Sequence, residues 1–183
     1  YYALSLANAV YGGGFGTRLN LNLREDKGWS YGVFANPVLF TRGGTWIASG
    51  GVQTNKTKES AVEFMKELRN IAGEKPISEA EFTTARLARI RGYAQQFEAY
   101  QRIAQQIGDL WVFGLPMTTL QTETDMLGKE TLATANAAAA KYATPGNTSI
   151  LLVGDLSKIE AGIRELNLGE IVILDAEGKP VQR

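Results

Sequence analysis

The chain has 183 residues, 44% of them apolar, and its 19 basic and 19 acidic side chains cancel. A chain of that length buries a sizeable core without staples, and the lack of basic excess argues against nucleic acid as a partner. Cysteine and histidine are both absent, which removes thiolate chemistry, Ser–His and Cys–His pairs, and the ligands that zinc prefers.

Residues 1–14, YYALSLANAVYGGG, read as a helix already under way. Leu6 and Val10 sit four apart on one face, and no cap precedes them. We read this opening as a piece of a longer polypeptide, truncated at its N-terminus. The helix should end at Gly12, Gly13 and Gly14, where positive φ costs little. TRLNLNLREDKG predicts a second helix with Leu19 and Leu23 paired on its inner side. Gly28 would be its left-handed cap, and Lys27 would suit its negative end. WSYGVFANPVLF suits a strand, with Pro37 placing it at an edge or bend. TWIASGGVQT returns antiparallel, and Gly50-Gly51 suggests a bulge.

Helices follow. One is predicted over 57–72 and a second, opened by a Ser78/Glu81 capping box, to about Phe97. A third carries Tyr100, Ile103, Ile107 and Leu110 and stops near Gly114-Leu115-Pro116. TTLQTETDML and KETLATANAAAAKYA give two more. TSILLVGD reads as a buried-type strand, LSKIEAGIREL as a short helix and EIVILD as a last strand. No internal repeat or long linker divides the chain, so we expect one domain over 1–183. Its fold class is α+β, a mostly antiparallel sheet covered by helices on one face. No apolar run approaches the roughly 18–20 residues of a membrane span.

The glycine-rich segment invites a nucleotide reading, which its context refuses. A Walker loop ends in Gly-Lys-Ser/Thr, but this one ends Gly16-Thr17-Arg18, and a helix rather than a strand precedes it. Taken singly, the loop is a helix–helix turn, Arg24 a solvated helix position and Tyr31 a half-buried strand residue.

Together they say more. GGGFGTRLNLNLREDKGWSYGVFA resembles the second half of the M16 (pitrilysin/insulinase-like) zinc metallopeptidases. That family shows a glycine-rich turn, Ser/Thr-Arg-Leu, Leu-Arg-Glu, Lys-Gly, and then an aromatic residue with Ser-Tyr or Tyr-Ser. The likeness continues through Gly114-Leu115-Pro116, the Ala-rich segment ending Lys141-Tyr142, and Ile150–Asp155.

The resemblance implies an M16 or mitochondrial-processing-peptidase-like half of the bacterial subfamily B type. Such a half carries no zinc, and the metal lies on a partner half or subunit bearing His-x-x-Glu-His. This chain, without histidine, would bind no metal, hold no catalytic residue and be inactive alone. It would supply Arg24 and Tyr31 to grip a substrate carbonyl, and the loop Gly12, Gly13, Gly14, Phe15 and Gly16 to approach an extended peptide. The partners implied are the zinc-bearing half and a peptide substrate. Exposed Phe15 and Trp29 would favour self-association of the isolated chain. The resemblance favours a periplasmic setting. The alternative within the same fold is a core-type structural subunit with scaffolding work only.

Overall fold

The computed structural model describes residues 1–181. Helix α1 (Tyr2–Tyr11) ends at the glycines as expected, with Leu6 and Ala7 fully buried. Helix α2 (Arg18–Asn20) runs on as a π-helical turn over Leu21–Asp26. Gly28, at φ +62°, closes it, its N–H donating to Arg24 O at 3.1 Å while Trp29 N–H donates to Leu23 O at 3.0 Å. A side chain at that φ would be strained, so glycine is required by the turn.

Strands β1 (Ser30–Phe40) and β2 (Gly43–Val52) form an antiparallel hairpin. Val33 and Ala35 of β1, both fully buried, face α1. On β2 the inward residue Trp46 donates its indole N–H to Asn8 Oδ1 (2.7 Å) and meets Tyr11 edge-on at 5.2 Å. Partnered indoles and T-shaped ring pairs are the usual way to bury aromatic residues without loss.

Further helices among the described residues are α3 (Thr57–Arg69), α4 (Glu79–Arg91), α5 (Tyr100–Phe113), α6 (Thr118–Lys129), α7 (Leu132–Tyr142) and α8 (Leu156–Arg164). Helices α1, α4 and α7 meet around the core, where Ala135 and Ala139 let backbones approach closely. The capping box of Ser78 and Glu81 is present, and Gly114 (φ +64°) is the left-handed cap of α5. The α+β class stands, with the helical layer dominant and a two-stranded sheet among the described residues.

Three expectations need correction. Helix α4 stops at Arg91, and residues Tyr93–Phe97 form a separate tighter turn. The segment 148–155 is not a strand: it makes no ladder, and Leu151 and Val153 are 78% and 92% exposed. Among the described residues the segment 170–175 contributes one bridge, Leu174 with Pro180. Both segments have strand composition, but a strand exists only through a partner's hydrogen bonds, and neither lies in register beside β1 or β2.

Candidate functional site

The segment 18–26 is fastened by alternate side chains to three different elements. Arg18 grips α4, its Nε and Nη2 donating to Glu81 Oε1 (2.7 Å) and Oε2 (2.8 Å) while Nη1 reaches Lys75 O at 2.6 Å. This paired contact, with help from Ser78, holds the Glu81 carboxyl down at about 2 against an ordinary 4.5. Asn20, fully buried, serves β1: its Nδ2 donates to Val33 O (2.6 Å) and its Oδ1 accepts from Val33 N–H (2.9 Å). Asn22 ties the same turn to α3 by donating to Glu63 Oε2 (2.7 Å) and Glu67 Oε1 (2.9 Å). Leu19 and Leu23 fill the core beneath. A turn anchored on so many sides fixes the backbone from which Arg24 projects.

The glycine loop is anchored at one end and open at the other. Ala35 N–H donates to Gly12 O (2.8 Å), so the start of the loop is tied to β1 on the side away from β2. A Cβ on Gly12 would lie 2.6 Å from Ala35 Cβ and 2.9 Å from Leu19 Cδ1, closer than any side chain tolerates. The close approach expected of this loop is therefore made first to the chain's own strand. Gly14 O accepts from Thr17 Oγ1 (2.6 Å) and Asn20 Nδ2 (3.0 Å). Beyond that, Gly14 and Gly16 have nothing within 4 Å of where a Cβ would be, and Phe15 is 56% exposed.

Tyr31 owes its direction to a register defect. Ser30 pairs with Val52 and Gly32 with Gly51, which leaves Tyr31 as an extra residue opposite no partner. Unbroken alternation from the buried Ala35 and Val33 would aim Tyr31 at the core. The bulge turns it out instead, to 90% exposure. The bulge was legible in Gly50-Gly51, but it falls on the strand facing them. Ser30 Oγ, donating to Gly51 O at 2.7 Å, staples it.

Arg24 and Tyr31 do come together. The guanidinium carbon of Arg24 lies 5.7 Å from the Tyr31 ring centroid and 4.9 Å from that of Phe15. Its Nη1 also stands 3.1 Å from Glu25 Oε1. An open depression of about 450 Å³ borders Tyr31, lined by Gly28, Trp29, Ser30, Gly51, Val52 and Gln53. Trp29 is half-buried against the core with Lys27 and Lys56 over its ring, so it offers less free apolar surface than expected. Sequence reasoning missed Asn20 and Asn22 as the residues that hold the site. Their one signal is polarity at positions alternating with the core leucines.

The chain's own donors do not fit a zinc ion. Among the described residues no three His, Cys, Asp or Glu are grouped so as to hold a metal, and zinc favours the nitrogen and sulfur ligands this sequence lacks.

Residues 1–89 match the family model for the Peptidase M16 inactive domain. A peptidase M16 inactive domain from Pseudomonas fluorescens shares the fold at a TM-score of 0.68 and 24% identity, over 78% of this chain and 34% of that one. The inactive peptidase domain of a Bordetella parapertussis protein matches at 0.64 and 18% identity, over 80% of this chain and 79% of its own. A conserved protein from Enterococcus faecalis matches at 0.60 and 21% identity, over 76% of this chain and 32% of that one. The chain thus spans about a third of the Pseudomonas and Enterococcus chains. Curated proteins give no match.

Proposed function

We propose that this chain is the substrate-binding half of an M16-type peptidase whose zinc lies on a partner half. In this reading Arg24 and Tyr31 donate hydrogen bonds to one peptide carbonyl as negative charge builds on its oxygen during hydrolysis. The observation that carries the reading is Tyr31, turned outward by a bulge with its ring centroid 5.7 Å from the Arg24 guanidinium carbon. Charge-assisted donation from a guanidinium and a phenol is the chemistry an oxyanion calls for. The open outer side of the loop at Gly14 and Gly16 leaves room for an extended peptide backbone, and the depression beyond Tyr31 leaves room for one of its side chains.

The test is turnover of a quenched fluorescent peptide by the chain assembled with its zinc-bearing half. Tyr31→Phe and Arg24→Ala should each lower kcat/KM by about a hundredfold, the usual loss for one oxyanion donor. The double variant should fall short of the product of the two losses, because both groups serve one oxygen. Turnover within twofold of wild type in both single variants would overturn the reading in favour of a scaffolding subunit.

A further inference from the structure

Phe15 has no packing reason to be aromatic. It stands on an open loop, 56% exposed, between two glycines at which an added Cβ would meet nothing within 4 Å. Its ring nevertheless has two defined neighbours. Phe34 of β1 meets it edge-on at 5.1 Å and 84°, and the Arg24 guanidinium carbon lies 4.9 Å from its centroid. Phe34 is three residues from Tyr31 on the same strand. The order Phe34, Phe15, Arg24, Tyr31 therefore ties the strand that carries the tyrosine to the turn that carries the arginine. The residue before Phe15 is itself pinned, since Gly14 O accepts from both Thr17 and Asn20.

A hold of this kind matters because Arg24 has a competitor for its donors. Glu25 stands 3.1 Å from Nη1, and both side chains are partly open to water. An exposed arginine beside a carboxylate samples several rotamers, each of which spends a donor away from the site. Two aromatic rings, with centroids 4.9 and 5.7 Å from the guanidinium carbon, narrow that choice of rotamers, with the Nη1 contact to Glu25 still in place.

We infer that Phe15 is a positioning residue for Arg24, its ring holding the guanidinium beside Tyr31 while Glu25 keeps one of its nitrogens. This rests on the proposed carbonyl-binding role of the pair, and the two ideas fail differently.

The experiment compares kcat/KM of the assembled peptidase on a quenched peptide for Phe15→Ala, Phe15→Trp, Arg24→Ala and the Phe15→Ala/Arg24→Ala double variant. A second readout on this chain is the NMR signal of the Arg24 side-chain protons, which the Phe15 ring current shifts. Phe15→Ala should lower kcat/KM about fivefold, the scale of one partly exposed cation–π contact. Phe15→Trp should restore it, and the double variant should match Arg24→Ala, because Phe15 acts only through that side chain. The Arg24 proton shifts should collapse toward solvent values in Phe15→Ala and not in Phe15→Trp. A hundredfold loss in Arg24→Ala with no loss in Phe15→Ala would overturn the positioning role alone. So would full additivity in the double variant. If Arg24→Ala and Tyr31→Phe leave turnover intact, the carbonyl-binding reading fails instead. The NMR shifts then decide whether Phe15 holds Arg24, and unchanged shifts in Phe15→Ala refute it.

Discussion

Replacing Glu81 by glutamine removes one charge from a contact that joins the glycine-loop helix to α4. The Arg18 side chain is only 9% exposed and Glu81 34%, so the arginine would be left largely buried against a neutral amide. The carboxyl falls from an ordinary 4.5 to about 2 in the folded chain, with the Arg18 hydrogen bonds as the first cause and Ser78 next. A drop of that size corresponds to about 3 kcal/mol at most. With a third of the Glu81 side chain open to water, screening reduces this to about 2 kcal/mol. The sign follows from the depressed value. Stabilisation is fully present above 4.5, because the folded state holds the carboxylate and the unfolded chain then does too. It is lost as pH falls from 4.5 through 2, where the unfolded chain takes up the proton first. Denaturant unfolding of wild type and Glu81→Gln at pH 7 and pH 2.5 checks this. The difference should be about 2 kcal/mol at neutral pH, or roughly 4–8 °C in Tm for a chain of this length. It should shrink well below half of that in acid. An equal difference at both pH values would refute the ion-pair account and leave a loss of packing or capping.

Asn20→Leu should cost about 3 kcal/mol or more in unfolding free energy, because it strands the buried N–H and C=O of Val33 as well as losing the amide. Gly12→Ala should destabilise by about 2–3 kcal/mol, since the new methyl meets Ala35 at 2.6 Å with backbone behind it, whereas Gly16→Ala should leave Tm nearly unchanged. Tyr31→Phe should shift stability by less than about 0.5 kcal/mol, because its ring is 90% exposed and the fold does not use the hydroxyl. Thermal unfolding of these variants side by side separates the residues that build the site from those that would work in it.

Much of this arrangement can be traced in the sequence, because it depends on local chemistry. Leu19 and Leu23 on one face, Gly28 where the helix must turn left-handed, and Ser78 with Glu81 at a helix start are decided within a few residues. The Arg24 and Tyr31 spacing was legible as a motif, and their meeting is consistent with it. The direction of Tyr31 was not, since simple alternation buries it and only the pairing of β1 with β2 creates the extra residue that turns it out. The same holds for Asn20 and Asn22, whose partners lie 13 and more than 40 residues away. The segments 148–155 and 170–175 mark the opposite failure. Their composition favours strands, but composition supplies no partner edge, and pairing is a property of the folded whole. Helices and turns close their hydrogen bonds within the segment and can be read from it, whereas strands, bulges and buried amides close theirs across the chain and are decided only in three dimensions.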